Sequence, residues 1–336
     1  MSFTSILSFE HAKSLASSAL QSNGTAIEVA DCVAHALALA DADDLRSHGL
    51  ERIPSYVGQL RSGKVDGHAK PSCRRVKPSS IEIMANDGFA FPAIELAIGS
   101  LVDVCEEQGV AAAAIVGSHH CGVMGHAVEK LARAGFACVM FANTPKAMAV
   151  AGGGRPVLGT NPIAFACPRA TEHAPLVIDT SLSVVARGKV ALAAKKGERV
   201  PAGWGVNSHG EPTTDPLEIL EGGLNPVGGA KGSALALMVE ILAGAFVRSN
   251  FGFQASSFFD GEGGPPRVGQ LLISLNASEF NSHFADHVEQ LLSKIESEPN
   301  ARIPGARRQS SRISAFREGL EYSQDLIDSI KQLSGI

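Results

Sequence analysis

The run from Pro92 to Phe141 constrains the fold most. A helix expected from about Pro92 to Gln108 leads into an apolar stretch, Val110 to Val116, and a second helix, about Gly125 to Ala134, leads into another, Phe136 to Phe141. Short apolar runs bounded by turn residues read as buried strands, and helices between them as the cover of an α/β sheet. Further strands are expected at Ile81 to Met84, Ile163 to Ala166, Leu176 to Ile178 and Gln270 to Leu275. A helix should follow Gly188, another should start at Thr213-Thr214-Asp215-Pro216, and a long one should run from Lys231 to Phe246.

The two ends read differently. Ser8 can cap a first helix that stops at Gly24. Thr25 with Glu28 forms a capping box for a second, whose apolar positions Ile27, Ala30, Val33, Ala34 and Leu37 recur at helical spacing. After Ser278 the chain is helical again, ending in an amphipathic stretch from about Gln324 to Leu333. Residues 254–268 and 300–312 are rich in Gly, Pro or Arg and read as loops. The division expected is a helical domain of residues 1–75, completed by 285–336, and an α/β domain of residues 76–284.

Composition narrows the function. The formal charge of −5 leaves no basic surplus for nucleic acid or an anionic membrane. Ser233 to Phe246, the most apolar helix candidate, contains Glu240 and is too short to span a bilayer. The N-terminus shows no charged region followed by an apolar stretch, so no signal peptide is expected. The six cysteines have no C-x-x-C spacing and mostly sit in apolar runs, as reduced thiols of a cytoplasmic protein do.

The chemistry concentrates in Arg46-Ser47-His48-Gly49-Leu50-Glu51-Arg52-Ile53-Pro54-Ser55-Tyr56. If this segment is helical, His48 and Arg52 share a face with Cβ atoms roughly 5–6 Å apart. Arginine can hold a carboxylate by two parallel bonds, and histidine can move a proton near neutral pH. His120 follows the strand Val110 to Val116, and strand ends in α/β sheets are common ligand sites. Three more clusters stand out: Gly159-Thr160-Asn161-Pro162, Asp179-Thr180-Ser181, and Lys231-Gly232-Ser233 at a helix start, where amides and dipole favour an anion.

Several motifs are missing. No G-x-G-x-x-G follows a strand, and Gly152-Gly153-Gly154 runs into Arg155-Pro156. Gly229-Ala230-Lys231-Gly232-Ser233 lacks the Gly-Lys-Ser/Thr of a phosphate loop. His119, His120, Cys121 and His126 have no carboxylate or second cysteine at ligand spacing, so no metal is expected.

Together, Ser47-His48-Gly49, Ser118 to Gly122, Gly159 to Pro168, Asp179 to Val190, Pro212 to Pro216 and Lys231 to Ala243 resemble the malate/L-lactate dehydrogenase-like family of NAD(P)-dependent oxidoreductases. The resemblance implies a nicotinamide-binding domain that is not of the Rossmann type, with a mostly antiparallel mixed sheet. It also implies a homodimer with active sites near the subunit interface. Ser47 and His48 would form the proton relay. Arg52 would hold the substrate carboxylate and His120 would face the substrate. Thr160, Asp179, Thr180, Ser181, Arg187, Gly188, Arg302, Gly305, Arg307 and Arg308 would line the cofactor, with Lys231 as a further candidate. NADPH is the expected cofactor, with NADH as the other choice.

Lys231-Gly232-Ser233-Ala234 is similar to the branch that reduces Δ1-pyrroline-2-carboxylate and Δ1-piperideine-2-carboxylate, and these are the expected substrates. Lys189 stands where that branch can carry an aspartate completing the relay, as in many hydroxy-acid members, and is grouped with the catalytic residues. Ala306 replaces the family's usual glutamate after Gly305. The alternatives are a 2-hydroxy acid dehydrogenase for malate, lactate, ureidoglycolate or a sugar acid, and a non-catalytic cofactor-binding protein.

Overall fold

A computed structural model describes residues 4–170 and 173–335. The outermost residues of the expected helical domain, 1–3 and 336, therefore lie outside the described residues.

The centre is a seven-stranded sheet. Its order is Ser72–Lys77, Ser80–Met84, Val110–Ser118, Val268–Leu275, Ala137–Ala142, Ile163–Cys167 and Leu176–Thr180. Ser80–Met84 and Val110–Ser118 pair in parallel, and every other neighbouring pair in the sheet is antiparallel. The helices Ala90–Gln108 and Met124–Arg133 pack on one face, and Ile83, Leu101, Ile115, Leu131 and Met140 are fully enclosed between. A smaller five-stranded sheet joins the segments Pro212–Thr213, Gly205–Val206, Gly223–Leu224, Met148–Ala149 and Pro156–Leu158. It shares a second core with the helix Ala230–Glu240, through Met148, Leu224, Ala236 and Val239.

A third core belongs to the chain ends. The helices Phe9–Gln21, Ile27–Ala42 and Ile53–Arg61 bury Leu20, Leu37, Ile53 and Tyr56 against Leu320, Tyr322 and Ile330. Thr4–Leu7 pairs antiparallel with Leu320–Ser323, which ties the first strand to the last.

Local signals placed most elements to within about two residues. Ser8 caps the first helix by accepting the His11 amide at 3.2 Å. Asp215 does the same for Pro216–Glu221 through Leu217. The capping box at Thr25 is a misreading. Ala26, which has no side-chain acceptor, occupies the cap position, and its amide donates to Gly67 O at 3.0 Å. Thr25 is turned inward, its hydroxyl buried and unpartnered. The long helix is α-helical over Ala230–Glu240 and continues as a π-type turn, Ile241–Ala245.

The expected loop 300–312 is also corrected. Ala306–Glu318 is a helix, although none of its residues is fully buried. Distant charges hold it. Arg312 Nε and Nη2 reach both oxygens of Asp43, at 2.6 and 2.7 Å, and its Nη1 and Nη2 reach Glu129 at 3.0 Å. His126 Nε2 lies 2.9 Å from the same Asp43. Burial alone would raise the Asp43 and Glu129 carboxyls, but Arg312, with His126 at Asp43 and Arg133 at Glu129, brings both below their usual values.

Removing one partner of a buried ion pair strands the other charge at a cost of about 3–5 kcal/mol. Arg312→Met should therefore lose roughly 3 kcal/mol in urea unfolding at pH 7. Both carboxyls are depressed in the folded state. Their stabilisation is thus complete above about pH 4.5 and is lost as the pH falls through the folded values. The deficit of Arg312→Met should shrink over that acid range.

Candidate active site

The motif turn is not one α-helix. Arg46–His48 and Leu50–Arg52 are separate 3₁₀ turns, and the α-helix begins only at Ile53. The break falls at Gly49, whose backbone is extended, with φ −92° and ψ −150°. A side chain could take those angles, so conformational freedom is not why glycine stands there. A Cβ at Gly49 would sit on the Asp41 carboxylate. Asp41 Oδ2 accepts the Leu50 amide at 2.9 Å and the Tyr322 hydroxyl at 2.9 Å. Burial pushes the Asp41 carboxyl up to about 6, against those two donors. The shared helix face of the sequence reading is thus replaced by a carboxylate-held turn, which still brings His48 and Arg52 to one cleft.

The cleft is large, about 2010 Å³. Small-molecule pockets usually measure about 300–1,000 Å³, so this one has room for two bound molecules. Ser47, His48, Arg52 and His120 line one end. Ser47 Oγ is 3.1 Å from His48 Nδ1. Burial first, then the charge of Arg52, lowers the His48 pKa to about 4, so its ring is neutral at pH 7. Arg52 Nε donates to Ser47 O at 2.7 Å, and the guanidinium lies 4.8 Å from the Phe259 ring centre. Among the described residues no carboxylate pairs with Arg52. A planar cation held by its inner nitrogen can offer the others to a ligand carboxylate. His120 stacks on His48 with ring centres 5.6 Å apart, and Tyr56 Oη lies 2.7 Å from its Nδ1.

Thr160, Asp179, Thr180, Ser181, Arg187, Gly188, Lys189, Gly305, Arg307 and Arg308 line the rest. Asp179 accepts the Gly125 amide at 2.7 Å and faces Arg308 Nη1 at 3.7 Å. Gly305 adopts φ +85°, and a Cβ there would lie 2.9 Å from Val177 O, so only glycine suits the turn. Lys231 and Arg302 do not line this cleft. Among the described residues no three His, Cys, Asp or Glu converge as metal ligands. His119 is sealed among Tyr56, Phe89 and Phe258.

Charge sets the cleft apart from the molecule. The chain carries −5 overall, yet nine Lys and Arg line the cleft against four Asp and Glu. Sequence reasoning gave no role to four contributors. Tyr56 closed the motif stretch, four residues after Arg52. Phe258 and Phe259 lay in a segment read only as a loop. Glu240, noted only as a charge in an apolar helix, is buried and accepts from Asn143, Asn161 and the Gly252 amide. It thereby fixes the Gly159–Pro162 turn under Thr160.

A half-buried arginine beside a neutral histidine, in a cationic cleft at the ends of α/β strands, is equipment for redox chemistry on small carboxylic acids. The chain belongs to the malate/L-lactate dehydrogenase family, whose sequence profile matches residues 7–331. It is 45% identical to a (2R)-3-sulfolactate dehydrogenase (NADP(+)) of Chromohalobacter salexigens, over 97% of each chain. It is 39% identical to a Δ1-pyrroline-2-carboxylate/Δ1-piperideine-2-carboxylate reductase of Pseudomonas putida, covering 97% of this chain and 96% of the relative. The crystal structure of the Δ1-piperideine-2-carboxylate reductase of Pseudomonas syringae pv. tomato superposes with a TM-score of 0.92 at 37% identity, over 98% of this chain and 99% of that one.

Two measurements check this geometry. In an NMR pH titration His48 should titrate near pH 4 rather than at the free-histidine value. Gly49→Ala should destabilise the protein by about 1–3 kcal/mol or more, the usual cost of overpacking, in denaturant unfolding.

Proposed function

We propose that the chain is an NAD(P)-dependent dehydrogenase of small 2-hydroxy acids that carry a second anionic group, malate- or sulfolactate-like, acting at C2. The observation that carries this reading is the surplus of unpaired cations in the cleft, with Arg52 and Lys189 left over after the cofactor end. Arg187, Arg307, Arg308 and the hydroxyls of Thr160, Thr180 and Ser181 would hold the nucleotide; their charge and polarity suit a pyrophosphate and a 2′-phosphate, favouring NADPH over NADH. When bound, the nicotinamide supplies or accepts the hydride at C2. Arg52 grips the C1 carboxylate. His48, neutral and oriented by Ser47, takes the C2 hydroxyl proton in oxidation and returns it in reduction. Lys189 faces the second anion.

A second reading is reduction of cyclic 2-imino acids, Δ1-pyrroline-2-carboxylate or Δ1-piperideine-2-carboxylate. A neutral His48 favours it, because an iminium that accepts hydride becomes an amine and needs no proton in that step. Lys189 disfavours it, since a cation repels an iminium. The Lys231–Ala234 segment that resembles the imine branch lies outside this cleft.

We further propose a cytoplasmic homodimer, with a helical unit of residues 1–75 and 285–336 beside a non-Rossmann nicotinamide-binding unit of residues 76–284. Leu235, Met238, Ile241 and Phe246 are exposed along one helix and its continuation, an apolar stripe that a second copy could cover. Lys231 starts the same helix and would then stand at the subunit contact.

The test is turnover of NADPH and NADH with oxaloacetate, sulfopyruvate, pyruvate and both cyclic imines at matched concentrations. The dianionic oxo acids should be fastest, and a faster imine would select the second reading. Arg52→Lys keeps the charge but loses the planar fork, so kcat/KM should fall at least about tenfold, equivalent to ~1.4 kcal/mol, with cofactor affinity unchanged.

A further inference from the structure

Tyr56 comes from the helix Ile53–Arg61, one turn beyond Arg52, and its side chain is completely enclosed. Its hydroxyl has one hydrogen-bond partner among the described residues, His120 Nδ1 at 2.7 Å. We propose that Tyr56 is a positioning residue that keeps the His120 proton on Nε2, making His120 a hydrogen-bond donor to an oxygen on C2 of the substrate. The inference rests on the assignment of this cleft to a substrate with oxygen at C2.

The argument is a count of protons. Burial pushes the Tyr56 phenol above its usual range, so it keeps its hydrogen and has to place it. If the His120 proton sat on Nδ1, it would point at the phenol oxygen, and the phenol hydrogen would be left without an acceptor. A buried donor without an acceptor loses its solvation and gains nothing in return. With the proton on Nε2, Nδ1 accepts from the phenol and no donor is stranded. Burial, then Arg52, then the neighbouring histidines hold His120 well below its usual value, so the ring carries a single proton.

The other nitrogen is left for a ligand. His120 lines the cleft, and among the described residues the hydrogen bond of its ring is made through Nδ1. Both ring nitrogens of His119, by contrast, are sealed away from any partner. The ring is packed against two neighbours. His48 stacks on it, and Phe258 lies 5.2 Å from its centre. Phe258 is itself fixed, since Gln59 Nε2 donates to its carbonyl at 2.8 Å. The following residues are held by the enclosed Lys64, whose Nζ reaches Asp260 O at 3.1 Å and Glu262 O at 2.7 Å.

The consequence is selectivity. A ketone or hydroxyl oxygen at C2 accepts a hydrogen bond from Nε2–H. A protonated imine offers N–H there, and two donors would face each other. His120 so wired separates the two substrate classes that share a carboxylate.

Nitrogen NMR on the full-length protein labelled at histidine reads the proton directly, without substrate. His120→Gln identifies the His120 signals by their loss. In the wild type, Nδ1 should resonate as an unprotonated, hydrogen-bonded nitrogen and Nε2 as a protonated one. Tyr56→Phe removes only the hydroxyl and should shift both signals towards a mixture of tautomers. The same variant should lower kcat for oxo-acid reduction about tenfold, short of the ~10²–10³-fold cost of deleting an oxyanion donor. KM for the cofactor should not change. A protonated Nδ1 in the wild type, or unshifted signals and unaltered kcat in Tyr56→Phe, would overturn the proposal. If the wild type reduces only imines, the reading of the cleft fails, while the nitrogen signals still decide the position of the proton.

Discussion

The carboxylate of Asp41 organises the reactive end of the molecule. It takes the Leu50 amide and the Tyr322 hydroxyl, and its bulk forces glycine at position 49. Those contacts break the chain between two 3₁₀ turns and point Ser47, His48 and Arg52 into one cleft. The arrangement has an energetic cost, visible in the upward push on the Asp41 carboxyl. A buried carboxylate is tolerated when donors meet it, and it then specifies one geometry where an apolar contact would allow several.

Around that turn the site is built from groups whose charge has been settled by burial. His48 and His120 are held neutral beside a permanent cation, Arg52. A low local dielectric strengthens the pull of that cation on an incoming carboxylate. The cations towards Arg187 and Arg308 extend the same field along the cleft. An anionic cofactor and an anionic acid would meet the same positive lining, to which Lys189 also belongs.

Much of this was legible in the sequence, for identifiable reasons. Strands such as Val110–Ser118 and Ala137–Ala142 announced themselves by continuous apolar runs, and caps such as Ser8 and Asp215 are local chemistry. His48 and Arg52 do line one cleft, although the α-helical spacing that paired them is interrupted at Gly49. The helix Ala306–Glu318 could not be read locally, because its support comes from Asp43 and Glu129, far away in the chain. Thr25 failed as a cap because its side chain is buried and the helix starts one residue later, at an Ala26 whose amide is held by the distant Gly67. Lys231 and Arg302 were expected at the cofactor from their place in the motifs, and neither is among the residues lining this cleft.

The pairing of Thr4–Leu7 with Leu320–Ser323, and the bond from Tyr322 to Asp41, impose an order on biosynthesis. As the polypeptide leaves the ribosome, the α/β sheet can close while Asp41 still lacks its second donor. The turn that carries Ser47 and His48 is completed only when the segment around Tyr322 has emerged. The geometry of the reactive turn therefore depends on the meeting of Asp41 and Tyr322, 281 positions apart in the chain.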